Sequence, residues 1–372
     1  MKSTSDIVIV GGGAVGAACA RELAIRGREV LIIEPGTEMG QAWRAAAGML
    51  APQIEADGRD PLLPLGLRAR DHYDGLAAEL LETTSVDVGL WREGIARVAF
   101  DQADAEALRL KVRWQRDQGL SCEWLDDSEL RRRWPWLGPA IGALWAPRDG
   151  ALDPERLVEA LLDDARRLGA TLTRDRIVGI ESAGDRVSGL IGERAHYGAS
   201  QILIAAGAWA GQIQGLPRTI PVQPVRGQMA ALQWPPSMAR AIVYHKDSYL
   251  LARGSDAILG STMEYVGFDP KVTSAGLAQI FSSTLALCPG LVRSKVQRTW
   301  AGLRPVTPDG MPVLGPEPRL QGLWYACGHG RNGILLAGLT GVVIARLICG
   351  EPAGVELGEL GPERFGAMES TG

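Results

Sequence analysis

The sequence predicts an α/β fold in which a doubly wound, mostly parallel nucleotide-binding unit is interrupted by a smaller antiparallel sheet. Three observations carry this expectation. A strand, a glycine-rich turn and a helix follow one another at residues 6–26; the same order returns at residues 323–348; and residues 217–264 read as β segments with no helix between them. With 372 residues, 46% of them hydrophobic and 22% charged, the chain can build two lobes around a substantial core.

Residues 6–10, Asp-Ile-Val-Ile-Val, have no polar face beyond the first, as expected of a parallel strand buried on both sides. Small and apolar residues over 14–26 fit one helix, Gly27 stands as the residue after its C-cap, and residues 29–33 form a second apolar strand ending at Glu34. Further along, helices are predicted over 65–83 and 103–118, a strand over 94–100, and a loop at Trp134-Pro135-Trp136. Asp153 is suited to cap a helix, with Pro154 at its first position, running to Arg167 before Gly169. Strands follow at 170–173, 176–181 and 201–207, then the β-rich block with strands at 223–234, 241–251 and 257–263. A final strand at 323–327 and a loop at 328–333 lead into a helix ending at Ile348. The β-rich block therefore sits inside the nucleotide-binding unit. Residues 1–85, 145–215 and 300–365 are assigned to that unit, and 86–144 and 216–299 to a substrate-binding unit.

Composition excludes several classes. Thirty-nine basic against 43 acidic residues give a net charge of -4 and no stripe for nucleic acid. The five cysteines are scattered and never spaced as C-x-x-C, so neither a disulfide framework nor a zinc site is expected, and a cytoplasmic, reducing location fits. Four unclustered histidines offer no metal site. Lys2 and the apolar stretch to Ala20 imitate a signal peptide, but Asp6 and Gly11-Gly12-Gly13 spoil the pattern. The apolar run 333–345 is too short to cross a bilayer and reads as a buried helix, so no transmembrane segment is expected.

The chemistry begins at Gly11-x-Gly13-x-x-Gly16, which follows a buried strand, opens a helix with Ala14 and Val15, and precedes Glu34 by 18 positions. Gly11 allows a tight turn, Gly13 lets backbone approach a pyrophosphate, and Gly16 allows close helix–sheet packing. Glu34 can accept from a ribose hydroxyl and would repel a 2′-phosphate, which disfavours NADP. NAD and FAD both fit the motif. Residues 40–49, rich in alanine and glycine, stand where a nicotinamide domain would build its next βα units; such small side chains let a flat ring lie against backbone.

The motifs at 7–34, 45–49 and 205–209, with Trp300-Ala301-Gly302-Leu303-Arg304-Pro305 through Asp309-Gly310 to residue 315 and Gly328-His329-Gly330-Arg331-Asn332-Gly333-Ile334, are quite specific together. In them the chain resembles the D-amino-acid oxidase-like family of FAD-dependent amine oxidoreductases, and within it the glycine oxidase branch associated with thiamine biosynthesis. The resemblance implies a FAD-binding, Rossmann-like domain of the glutathione-reductase type with an inserted antiparallel-sheet substrate domain. It places FAD along Gly11, Gly13, Ala14, Val15, Gly16, Glu34, Ala46, Ala47, Gly48, Met49, Ile177, Ala206, Gly207, Trp209, His329, Arg331, Asn332, Gly333, Ile334 and Leu335. Arg304 matches the arginine that grips the substrate carboxylate, a task suited to a planar guanidinium. Tyr249 matches an assisting tyrosine, Arg331 a second active-site arginine, and Met263 a pocket wall.

The implied reaction is oxidative deamination of a small amine or amino acid of the glycine, sarcosine or D-alanine type. A hydride passes from Cα to flavin N5, the imine is hydrolysed to an oxo acid and ammonia, and O2 is reduced to H2O2. Covalent relatives attach flavin through a cysteine where this chain has Gly302, so non-covalent FAD is implied. Residues 244–249 keep only part of the glycine oxidase pattern, with Lys246 an unexpected charge. A dehydrogenase passing electrons to a quinone or protein acceptor remains an alternative, and a flavoprotein of tRNA modification a weaker one. The oligomeric state, including a homo-oligomer, is left open.

Overall fold

The computed structural model describes residues 3–36, 40–58 and 60–366; Lys2 lies outside them. The first sheet runs in the order 313–316, 323–327, 196–204, 3–10, 30–33, 171–173, with a hairpin of Ile177–Ala183 and Arg186–Gly192 on its side. Strand Ser3–Val10 pairs in parallel with both Val30–Ile33 and His196–Ile204, and Val10 stands opposite Ile33 on one side and Ile204 on the other. The three strands thus end level, and Gly11, Glu34 and Ala205 emerge together at one edge. The chain moves outward from Ser3–Val10 in one direction first and in the other later, so this edge is a switch point, where open α/β sheets bind ligands.

The helices over this sheet are held by burial of small residues. Helix Ala14–Ile25 is lined by Ala17, Ala18, Cys19 and Ala20, and the C-terminal helix Gly333–Ile348 crosses it so closely that a Cβ on Gly341 would stand 2.8 Å from the Ala18 carbonyl oxygen. With its preceding turn that helix spans Gly330–Ile348, 19 residues, which by length and composition alone would suffice to cross a membrane. The run is longer than the apolar residues suggested because Arg331, Asn332 and Arg346 belong to it. Its apolar face is packed in the core beside Tyr73, Leu76 and Leu161, as the expectation of a buried helix requires.

The second sheet runs in the order 296–306, 223–233, 256–260, 248–253, 242–245, 95–99, 142–146, 123–126. It is antiparallel except where Ile242–His245 pairs in parallel with Ile95–Ala99. Two expectations are corrected here. Residues 241–251 are not one strand but the hairpin Ile242–His245 and Ser248–Arg253, turning at Lys246 and Asp247, with Lys246 at φ +50°; no glycine or asparagine marks this turn. The strand expected over 257–263 stops at Gly260. Helices Asp127–Arg133 and Ser274–Leu287 and the strands Glu123–Asp126 and Gly142–Ala146 were not expected. The unit boundaries placed at 144/145 and 299/300 fall inside Gly142–Ala146 and Val296–Val306, which run unbroken through them.

Candidate active site

One cavity of about 700 Å³ runs from the edge of the first sheet to the face of the second. At the sheet end, Gly11 adopts φ +107°, and a Cβ there would lie 2.4 Å from the Ala205 carbonyl oxygen. A Cβ on Gly16 would lie 1.9 Å from the Gly11 carbonyl oxygen, so both glycines are required by close approach. Helix Ala14–Ile25 begins at Gly13 with no side-chain cap and no acid in its first turn, leaving its amide groups open to an anion. The Glu34 carboxylate accepts from the Gly12 amide at 2.7 Å through Oε2. Burial pushes Glu34 up, while the backbone amides and Gln41 pull it back. Gln41 in turn donates to the Gly36 carbonyl.

The middle of the cavity is walled by Ala45, Ala46, Ala47, Gly48 and Met49 on one side and by Ile177, Ala206, Gly207 and Trp209 on another. Gly48 has φ +84° and the Leu152 carbonyl oxygen 1.9 Å from a notional Cβ. The floor carries Gly328, His329, Gly330, Arg331, Gly333 and Ile334, where the C-terminal helix also starts without a side-chain cap or a first-turn acid. Two uncapped helix starts thus face one cavity.

The far end is built on the second sheet. Met229, Gly260 and Tyr249 stand side by side on neighbouring strands, as do Gly227 and Gly302. The two strand glycines make room for long side chains lying across the sheet: a Cβ on Gly260 would meet the Tyr249 hydroxyl at 2.6 Å, and one on Gly227 would meet Arg304 Nη1 at 2.3 Å. Arg304 donates to the Thr262 carbonyl (3.1 Å) and to Ser261 Oγ (2.7 Å). Burial lowers its pKa, and its guanidinium forms no ion pair among the described residues. The Tyr249 hydroxyl donates to Met229 Sδ at 3.3 Å, a weak acceptor, and burial raises its pKa to about 12 against the Arg304 charge and a hydrogen bond with Ser261, which lower it. A half-buried cation without an anion among the described residues and the Tyr249 hydroxyl, with Ser261 between them, therefore share one end of the cavity, which suits a carboxylate. Arg331, by contrast, is paired with Glu55 at 2.9 Å, and Glu55 also accepts from Tyr244 at 3.0 Å.

Most of the residues singled out in the sequence line this one cavity, including Arg304, Tyr249, Arg331 and Met263, whose side of the rim is open to solvent. Gly16, Asn332 and Leu335 do not; Leu335 packs in the core with Leu50 and Tyr73. The His329 ring lies 3.2 Å from Thr340 Oγ1, buried, with its pKa lowered to about 4. Lys246 reaches the rim, 3.7 Å from Asp104. Sequence reasoning missed Glu55, Tyr244, Ser261, Met229 and Trp43. The strand glycines 227 and 260 were a signal for the close packing around Arg304 and Tyr249.

The glycine cradle, the Glu34 carboxylate at the sheet edge and the two uncapped helix starts fit FAD, and the fold and site define a flavin-dinucleotide-dependent oxidoreductase. The chain matches the family described as FAD dependent oxidoreductase over residues 6–347 and belongs to it. It is 34% identical over 351 residues to glycine oxidase of Geobacillus kaustophilus, covering 92% of each chain, and that protein's crystal structure superposes with a TM-score of 0.93 over 97% of this chain and 98% of the other. It is 33% identical to hydrogen cyanide synthase subunit HcnC of Pseudomonas aeruginosa, over 98% of this chain and 97% of that one. Iminodiacetate oxidase of Chelativorans sp. BNC1 superposes with a TM-score of 0.88 at 30% identity, over 97% of this chain and 98% of the other. The protein is an FAD-dependent amine oxidoreductase.

Proposed function

We propose that this enzyme oxidises a small amino acid or N-methyl amino acid, of the glycine, sarcosine or D-alanine type, and reduces O2 to H2O2. The observation that carries the reading is Arg304: a half-buried guanidinium with no carboxylate partner among the described residues, beside the Tyr249 hydroxyl, at one end of the cofactor cavity. FAD, held along Gly11–Val15, Glu34, Ala46–Met49 and Gly330–Ile334, supplies the hydride acceptor. Arg304 fixes the substrate carboxylate through two parallel hydrogen bonds, and Tyr249, kept protonated by its raised pKa, donates a third. Fixing the carboxylate orients Cα toward the cavity wall at Ala47–Met49 and leaves the amine free to lose its proton. Arg331 is paired with Glu55, and Arg97, which also lines the cavity, donates to the Ile54 carbonyl, so beside Tyr249 the guanidinium open to a carboxylate is that of Arg304.

Non-covalent FAD is supported at Gly302, where a Cβ would lie 2.4 Å from the Ala45 Cβ, leaving no room for a tethering side chain. The five free cysteines support a reducing, cytoplasmic location. Coupled measurement of H2O2 and ammonia from glycine, sarcosine and the carboxylate-free methylamine tests the reading. Equimolar peroxide and ammonia from glycine, with methylamine poor, is expected. Flavin turnover without peroxide would overturn the oxidase assignment, and equal turnover of methylamine would overturn the role of Arg304.

A further inference from the structure

The segment Ala45-Ala46-Ala47-Gly48 lines the cavity but has no side chain large enough to lock itself in place by packing. Its position depends on what holds its backbone. The Ala47 carbonyl accepts from the Arg253 guanidinium, whose Nη2 also donates to the Leu152 carbonyl at 2.6 Å, with Asp153 at 3.9 Å. The Ala45 carbonyl accepts from Trp300 Nε1 at 3.3 Å, and the Trp300 ring is itself covered by the Arg298 guanidinium at 4.3 Å.

The Gly48 carbonyl also accepts from the Leu152 amide at 3.0 Å, but both side-chain holders come from the substrate-facing sheet, and from the same two strands that carry the substrate residues. Tyr249 and Arg253 lie on Ser248–Arg253, and Trp300 and Arg304 on Val296–Val306. Each pair is four residues apart, so by the two-residue period of a strand both members point to the cavity face. We infer that Arg253 and Trp300 are positioning residues that register the segment Ala45–Gly48 against Tyr249 and Arg304, and so set where substrate stands relative to FAD. This rests on the reading that Tyr249 and Arg304 hold substrate. A strand is stiff along its length, so one rigid element fixes both the clamp and the wall the cofactor lies against. An error in this register moves the reacting atoms apart without weakening the grip on the carboxylate.

The test uses the holoenzyme with Arg253→Met, Arg253→Lys and Trp300→Phe, the last retaining a flat ring while deleting the donor. The visible absorption spectrum and fluorescence of bound FAD are recorded, together with kcat per bound FAD and KM for sarcosine. The expected result is an altered FAD spectrum and a fall in kcat of about tenfold to a hundredfold, with KM little changed and partial recovery in Arg253→Lys. A merely structural role would lower thermal stability and holoenzyme yield while leaving the spectrum and per-FAD kcat native, and that result overturns the inference. If Arg253→Met yields no folded holoenzyme, Trp300→Phe decides alone. If sarcosine and glycine fail to reduce the wild-type enzyme, the proposed function falls, whereas the FAD spectra of the variants still decide the positioning role.

Discussion

The Arg304 guanidinium occupies the space over Gly227: a Cβ on that glycine would stand 2.3 Å from Nη1 and 2.4 Å from Nη2. The conflict is with the end of a flexible side chain, so the fold can accept a methyl group there by moving the guanidinium. Gly227→Ala is therefore expected to leave thermal stability and FAD binding near native while raising KM for glycine by about tenfold, through displacement of the carboxylate clamp. An unchanged KM would show that Arg304 does not need this position.

Direct removal of the clamp is a stronger perturbation. Arg304→Ala is expected to weaken amino-acid binding by about 2 to 5 kcal/mol, the cost of losing a charge-assisted bidentate pair, with FAD retained. Arg304→Lys keeps the charge but not the fork and recovers only part of the loss. Competitive inhibition by acetate, followed in wild type and both variants, measures this without turnover; equal inhibition in all three contradicts the assignment.

At the other end of the cavity, Glu34→Lys removes the carboxylate proposed to accept from the ribose and puts an ammonium beside the Gly12 amide. FAD affinity is expected to fall by about tenfold or more, read by quenching of flavin fluorescence on titration of apoprotein. Unaltered affinity would mean that the carboxylate serves only to order the turn at Gly12.

Much of this cofactor end is legible in the sequence, because the residues that build it are contiguous: a strand, the glycines 11, 13 and 16, a helix, and Glu34 closing the next strand. The substrate end is different. Glu55 reaches Arg331, Tyr244 reaches Glu55 and Ser261 reaches Arg304 only because segments remote in the chain become neighbours, and no local spacing encodes that. The turn at Lys246-Asp247 escaped for a related reason: its left-handed residue is a lysine, so the usual glycine signal is missing and two strands read as one. Leu335 was assigned to the cofactor through its backbone amide at the helix start, and the 3.6-residue period of the helix turns its side chain into the core.

The His329 ring, buried against Thr340, carries a pKa lowered from 6.5 to about 4 by desolvation. Between those pH values the unfolded chain binds a proton that the native protein does not, so stability falls as pH drops through this window, by up to about 3 kcal/mol. His329→Gln keeps a hydrogen-bonding group and deletes the titration. The difference between wild-type and variant melting temperatures should therefore change between pH 6.5 and pH 4 in favour of the variant; a constant difference contradicts the buried, neutral state of the ring.

The central claim, an amine site facing FAD in which Arg304 holds the substrate carboxylate, is tested most directly by stopped-flow measurement of flavin absorbance under nitrogen. The substrates are glycine, sarcosine, both alanine enantiomers, D-phenylalanine and D-glutamate. The proposed function predicts bleaching by glycine, sarcosine and D-alanine, faster than by D-phenylalanine because Tyr249 narrows the cavity beside Arg304, and none by L-alanine. Preferential reduction by D-phenylalanine or D-glutamate, with no response to glycine or sarcosine, would contradict it.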